Sequence, residues 1–152
     1  MSYFEQGYFE LGVTSNFSFL RGASRAEELA HQAKALGLAG MGVADHNSLA
    51  GIVRAHMAAK HEGLAFAVGV RLVFSDTTPD ILAYPQNRAA YGDLCRLLTL
   101  GNRRAVKGEC LLTREDLISH AHDLSLIVLP PARLNPGFAR ELQILAQALP
   151  QP

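Results

Sequence analysis

Short apolar runs alternate with segments of helical periodicity along this chain. Each apolar run ends at glycine, proline or polar turn residues, which is the pattern of a strand. The predicted strands cover residues 8–13, 41–44, 64–70, 81–84 and 124–129, and residues 72–74 can extend the third. The segments between and after them repeat their apolar positions with a helical period. The predicted helices cover residues 24–36, 49–62, 88–100, 113–122 and 136–149.

Residues suited to capping stand at the predicted helix ends. Ser24 and Glu27 have the spacing of a capping box, in which each side chain accepts from a free backbone N–H group. Asn87 and Asn135 can cap the third and last helices, and Thr113 begins the fourth. Glycine is expected to end the first three helices, because it adopts the left-handed conformation without strain. These glycines are Gly37, Gly63 and Gly101.

Strands separated by single helices indicate an α/β fold with a mostly parallel sheet. A closed eight-stranded barrel usually needs roughly 250 residues, so the chain is either a small open sheet or part of a larger barrel. Ligand sites in such folds gather at the carboxyl ends of the strands. The segments to inspect are therefore residues 12–15, 45–47, 69–71 and 84–85.

Composition narrows the class of protein. The chain has 152 residues, 49% of them hydrophobic, which suits one domain with a substantial core. Lys and Arg number 14, as do Asp and Glu, and this balance argues against a surface devoted to nucleic acid. No apolar run approaches the roughly 20 residues of a membrane helix, and no secretory signal is visible. Cys95 and Cys110 form no CxxC pair, so we expect a cytoplasmic protein without disulfides.

Three separated motifs carry a family resemblance. Residues 10–24 (ELGVTSNFSFLRGAS) resemble the start of a PHP domain, the polymerase and histidinol phosphatase domain of bacterial polymerase III alpha subunits. Residues 45–51 (DHNSLAG) resemble the second motif of that domain. Residues 97–110 (LLTLGNRRAVKGEC) are similar to the error-prone branch of the family. The motifs occur in order, and the resemblance extends over about residues 8–131.

The resemblance implies a fold and a function. Residues 1–152 would form a single PHP-like domain, a partial, distorted TIM-like βα barrel truncated on its C-terminal side. The domain would be a non-catalytic N-terminal module of an error-prone DNA polymerase used in translesion synthesis, DNA repair and damage-induced (SOS) replication. Its partners would be the rest of the polymerase chain and, through it, DNA. The alternative is a PHP-type metal-dependent phosphoesterase or proofreading nuclease.

The resemblance also implies an eroded metal site. The H-x-H motif of hydrolytic PHP domains falls on Gly12 and Thr14, and the glutamate after the third strand is replaced by Arg71. Only His46, beside Asp45, is kept. The expectation is a relict site with no cofactor; the alternative is weak Zn²⁺ or Mn²⁺ binding at Asp45 and His46.

The chemistry of metal ligands also predicts that this chain lacks a working metal site, independently of the family resemblance. A catalytic metal centre needs several converging His, Asp or Glu side chains, and a guanidinium repels a cation. We expect Arg71 to occupy the space of the metal and to pair with Asp45, directly or through water. His46 is then either a strand-end histidine bonded to backbone or a relict ligand.

Two surfaces remain as candidates for contacts with partners. Arg103, Arg104 and Lys107 form a basic cluster in a predicted loop over residues 101–112, which would either contact nucleic-acid phosphates or a polymerase segment, or be simply solvated. The strand at residues 124–129 would lie at the edge of an incomplete barrel. Unpaired edges recruit other strands, so self-association through this edge is expected. No membrane partner is expected.

Overall fold

The computed structural model describes residues 7–149, in which strands and helices follow one another in the predicted order. The ten elements of this range follow in chain order: β1 (Phe9–Val13), α1 (Ala26–Ala35), β2 (Gly40–His46), α2 (Ile52–Glu62), β3 (Ala65–Leu72), β4 (Ile81–Pro85), α3 (Arg88–Arg104), α4 (Arg114–His120), β5 (Leu124–Val128) and α5 (Pro136–Ala148). None of the helices in residues 7–149 is long and apolar enough to cross a membrane. The predicted α/β class is confirmed.

The chain folds as two compact units, one ending at Val70 and the other beginning at Arg71. In the first unit β1 pairs with β2 in parallel, with Phe9 opposite Gly40 and Val13 opposite Val43. Glu10 lies opposite Met41, so the three steps from Glu10 to Val13 match only two steps along β2. A bulge of this kind re-aims the side chains beside it, and it lies where the first candidate site residues stand.

Alanine side chains build the helical side of the first core. Ala30 of α1 and both Ala55 and Ala59 of α2 have no exposed surface, and they pack in one cluster with Met41 and Val43 of β2. Small side chains let the helix backbones come close to the sheet. Every residue of β2 before His46 is buried, as expected for a strand covered on both faces.

The predicted helix ends match the structure at five positions and differ at two. Gly37 and Gly63 follow α1 and α2 in the left-handed conformation, with φ +71° and +68°. Asn87 and Asn135 accept from the backbone N–H groups three residues later, each at 2.9 Å, and Thr113 caps α4. The predicted box at Ser24 and Glu27 is wrong by one residue: the Glu28 carboxylate accepts from the backbone N–H of Arg25 at 2.8 Å.

Gly101 does not end α3. The helix continues to Arg104, so the basic loop predicted to start at residue 101 begins only after it. A Cβ atom on Gly101 would lie 2.6 Å from the Cys110 sulfur and 2.6 Å from a methyl carbon of Leu112. Close packing, and not a left-handed turn, therefore accounts for this glycine.

Strand direction in the second unit differs from a wholly parallel arrangement. β4 pairs with β5 in antiparallel fashion, with Ile81 opposite Val128 and Pro85 opposite Leu124. Two helices separate these strands in sequence, and the apolar runs themselves carry no signal of direction. The buried side chains of this unit come from its strands and helices and from the segment between α3 and α4; they include Leu72, Ile81, Leu94, Leu97, Leu112, Leu117 and Leu145.

Candidate functional site

Asp45, at the carboxyl end of β2, is the centre of a buried hydrogen-bond network. Its side chain is 1% exposed. One carboxylate oxygen accepts from the Ser15 backbone N–H at 2.8 Å and from the Ser18 hydroxyl at 2.6 Å. The other accepts from the Ser15 hydroxyl at 2.7 Å. We call Asp45, Ser15 and Ser18 the Asp45 network; it directs three short hydrogen bonds to one buried carboxylate.

The network fixes the loop between β1 and α1. Ser18 donates its backbone N–H to the Ser15 carbonyl, and Gly22 donates to the Ser18 carbonyl, each at 3.0 Å. Further along, the Asn16 N–H reaches the Ser24 carbonyl at 2.9 Å. Residues 14–24, the β1–α1 loop, are therefore tied internally and to the end of β2.

Gly12 and Thr14 bring no metal-ligating side chain to this strand end. The backbone N–H of Gly12 donates to the Glu10 carboxylate at 2.9 Å, and the other oxygen of that carboxylate accepts from the Tyr8 hydroxyl. The Gly12 hydrogen bond, followed by the one from Tyr8, lowers the pKa of Glu10. His46 is half-buried, and its backbone N–H donates to the Ser18 hydroxyl at 3.0 Å. A relict ligand role for the His46 ring stays a prediction.

Arg71 binds Asp80, not Asp45. Its Nε and Nη2 atoms both donate to one Asp80 oxygen, at 2.9 and 2.6 Å, and the two side chains are 34% and 28% exposed. The predicted Arg71–Asp45 pair is wrong because each group finds its partners within its own unit. Asp80 lies nine residues from Arg71, just before β4, in a segment that the sequence marks only as a turn.

The donor groups do not fit a divalent cation. Three of the roughly four lone-pair positions of the Asp45 carboxylate already receive hydrogen bonds. Arg71 is itself a cation, and it is paired with Asp80. Within residues 7–149 no three His, Cys, Asp or Glu side chains gather into a group that could hold a metal ion. A cation needs several such ligands with free lone pairs.

The three residues of the predicted basic cluster differ in their contacts: one forms an ion pair within the fold, and two are exposed to solvent. Arg103 and Arg104 belong to the last turn of α3, and Lys107 follows in an exposed turn. The Arg104 guanidinium donates to Asp116 at 2.6 Å, and the Asp116 side chain is only 8% exposed. Arg104 therefore ties α3 to α4, while Arg103 and Lys107 lie open to solvent.

Asp116 gives this contact a dependence on pH. Burial opposes ionisation of Asp116, but hydrogen bonds from Arg104 and from Thr113 outweigh it and lower its pKa. A carboxyl with a lowered folded-state pKa contributes stability at neutral pH and loses it as the pH falls. We expect Asp116→Asn to lower the free energy of unfolding by about 1–2 kcal/mol at neutral pH and to weaken the loss of stability on acidification.

Urea unfolding followed by circular dichroism between about pH 7 and pH 3 tests this expectation. Asp93→Asn is the matched control, because Asp93 pairs with the exposed Arg96 three residues away on α3. It should cost only about 0.5 kcal/mol or less. An Asp116→Asn variant as sensitive to acid as the parent chain would contradict the role given to Asp116.

Sequence reasoning did not identify Ser15 and Ser18 as partners of Asp45. The three-residue spacing places both hydroxyls on one side of the turn that the Ser18–Ser15 backbone bond closes. That spacing is the one local signal; the carboxylate that they bind lies 27 to 30 residues further along the chain.

Comparison with known sequences agrees with the motifs. Residues 10–136 match the family model of the PHP domain. The chain is 51% identical over 148 residues to an error-prone DNA polymerase of Brucella abortus biovar 1 (strain 9-941), covering 94% of this chain and 14% of that protein. It is 58% identical over 120 residues to error-prone DNA polymerase 1 of Rhizobium meliloti (strain 1021), covering 79% and 11%. The chain thus spans only a small part of the length of these relatives.

Solved structures show the same fold. An enzyme assigned as a metal-dependent phosphoesterase from Bifidobacterium adolescentis superposes with a TM-score of 0.54 at 23% identity, over 64% of this chain and 34% of that one. An amidohydrolase from Chromobacterium violaceum superposes with a TM-score of 0.54 at 26% identity, over 62% and 33%. The expected partial PHP-type barrel is confirmed. With three motifs in order and a family match over most of its length, this chain belongs to the PHP domain family.

Proposed function

We propose that this chain is a PHP module of an error-prone DNA polymerase acting in translesion synthesis and DNA repair, and that the module itself does not hydrolyse phosphoesters. The observation that carries the non-catalytic part is the Asp45 network. A metal ligand must offer a free lone pair, and three of the roughly four lone-pair positions of Asp45 receive hydrogen bonds, two from hydroxyls and one from a backbone N–H. Arg71, engaged with Asp80, supports the same view.

The polymerase part of the proposal is supported by the relatives. The proteins from Brucella abortus and Rhizobium meliloti carry the name error-prone DNA polymerase and match this chain at 51% and 58% identity. The chain spans 14% and 11% of them, so polymerase activity, DNA binding and partner proteins belong to the proposal. A module of this size would serve the polymerase by packing against it and stabilising it.

Metal titration of the purified chain tests the non-catalytic part. We expect calorimetry with Zn²⁺ and Mn²⁺ to give no stoichiometric binding at micromolar concentration, because hydrogen bonds occupy most of the Asp45 carboxylate and no three candidate ligands gather within residues 7–149. Arg71→Glu is the informative variant, since it places a second carboxylate beside Asp80. It should lose about 1 kcal/mol of stability in chelator through like-charge repulsion and regain part of it when Mn²⁺ is added.

Two results would contradict this proposal and favour a phosphoesterase or proofreading nuclease. One is tight metal binding by the parent chain that His46→Ala abolishes. The other is metal-dependent hydrolysis of p-nitrophenyl phosphate, or release of nucleotides from the 3′ end of DNA, that Asp45→Asn removes.

A chimera tests the polymerase part. The matching 148-residue segment of the Brucella abortus polymerase is replaced by this chain. We expect the chimera to extend a primer across a damaged template base at a rate similar to the parent enzyme. Deletion of the segment should abolish activity through loss of folding. Failure of a folded chimera to extend primers would count against this role.

Self-association belongs to the same proposal. Ile127 of β5 is 39% exposed. Leu134, just before α5, is 75% exposed, and Leu142, within α5, is 37% exposed. Strand edges and apolar patches of this kind recruit other chains. We expect sedimentation to show concentration-dependent oligomers that Ile127→Lys disperses; a monomer at all concentrations would contradict this.

A further inference from the structure

Two neighbouring apolar side chains project from the β1–α1 loop into solvent. Phe19 is 83% exposed and Leu20 is 89% exposed. Single exposed apolar residues are common, but a phenylalanine and a leucine side by side at a loop tip contribute almost nothing to burial in this fold. Arg21, which follows them, is exposed as well. The loop thus presents an apolar tip next to one positive charge.

The backbone at this tip is strained. Leu20 has φ +61°, in the left-handed region that branched, bulky residues avoid. Asparagine or glycine would adopt the same conformation at lower cost. Because the side chain is exposed, packing within the described residues does not repay the strain. The leucine therefore disfavours the free fold while placing an apolar group in water.

The loop is nevertheless rigidly built. Ser15 and Ser18 anchor one side of it to Asp45, and the backbone N–H groups of Arg21 and Gly22 both donate to the Ser18 carbonyl, at 2.9 and 3.0 Å. Phe19 and Leu20 lie between these anchored positions. An exposed apolar tip on a preorganised loop loses little conformational entropy on binding, which is the property of an interface anchor.

We propose that Phe19 and Leu20 form a docking tip that inserts into an apolar cleft on the remainder of the polymerase chain, with Arg21 facing an acidic group at the rim. This inference rests on the proposed function and names the surface through which the module would be held. The remainder of the polymerase is the expected occupant because this chain spans only 14% of the length of its Brucella abortus relative. Most of that polypeptide is therefore available to cover the tip.

Hydroxyl-radical footprinting measures the exposure of these side chains directly. In the 152-residue chain, Phe19 and Leu20 should oxidise rapidly at every protein concentration. In the Brucella abortus chimera both should oxidise about tenfold more slowly, as for anchors buried at the centre of an interface. Met57 of α2, which is 61% exposed, is the internal control and should oxidise equally in both proteins.

Leu20→Asn separates docking from folding. In the 152-residue chain this variant should raise the midpoint of thermal unfolding, because asparagine tolerates the left-handed conformation. In the chimera it should instead restore oxidation of Phe19 towards its rate in the free chain. Val53→Ser, which truncates a 72% exposed side chain on α2, should leave Phe19 protected. A purely structural role of Leu20 would not explain a variant that stabilises the free chain and yet exposes Phe19 in the chimera.

The outcomes distinguish this inference from the proposed function. An active chimera in which Phe19 and Leu20 stay as reactive as in the free chain overturns the docking tip alone. Protection that grows with concentration of the 152-residue chain by itself assigns the tip to a second copy and also overturns the inference. A chimera that folds but does not extend primers overturns the proposed function, and the inference with it.

Discussion

Asp45→Ala is expected to lower the free energy of unfolding by about 3–5 kcal/mol, because three buried donors lose a charged acceptor at once. The Ser15 N–H and the two hydroxyls lie within a site where Asp45 is 1% exposed and Ser15 and Ser18 are 0% and 2% exposed. Truncation at Asp45 leaves these three donors without the acceptor that they share. Urea unfolding followed by circular dichroism measures the change.

Two further variants identify the cause of that loss. Ser18→Ala should cost about 2 kcal/mol, since it removes a 2.6 Å hydrogen bond to the carboxylate and the acceptor of the His46 N–H. Ser48→Ala is the matched control, because the Ser48 hydroxyl accepts only a local bond from Ala50 at 3.2 Å near the surface. If Asp45→Ala cost no more than the control, the network would not hold the loop.

Gly22→Ala is expected to destabilise the chain by about 3 kcal/mol, at the upper end of the cost of overpacking. A Cβ atom on Gly22 would lie 2.2 Å from the Ser15 carbonyl oxygen and 2.9 Å from that of Thr14. Both are backbone atoms of the anchored loop, so neither can move aside without breaking the Ser15–Asp45 hydrogen bonds. The same variant should therefore expose Ser18 and its neighbours to hydrogen exchange.

Gly92→Ala is the control, and it should change the stability of the chain in the opposite direction. Gly92 lies within α3, and its added Cβ would meet only the end of the Arg96 side chain, at 3.8 Å. Alanine in a helix interior should stabilise the chain by about 0.5–1 kcal/mol. Equal effects of the two substitutions would show that the close approach at Gly22 does not constrain the fold.

Most elements follow from local chemistry, which explains why the sequence predicts them well. Asn87 and Asn135 lie within three residues of the N–H groups that they cap. The buried strand β2 is visible as an apolar run because both of its faces are covered. Gly101 was misread as a helix end because its packing against Cys110 and Leu112 joins positions about ten residues apart.

The candidate site was only partly predictable. The second motif contains Asp45 and His46, and the end of the third predicted strand identified Arg71; the family match agrees with the motifs. The partners were predicted wrongly for Arg71, because its pairing with Asp80 depends on how the turn before β4 folds back. A guanidinium binds whichever carboxylate the backbone brings within reach, and sequence spacing does not specify that.

The order of strands and helices, the family and the lack of H-x-H at Gly12 and Thr14 can be read from the chain alone, since they depend on residue type and on periodicity. The fold was needed to show that Asp45 binds Ser15 and Ser18, that β4 and β5 run antiparallel, and that Leu20 is strained and exposed. These features arise from contacts between segments distant in sequence and from the backbone conformation that such contacts impose.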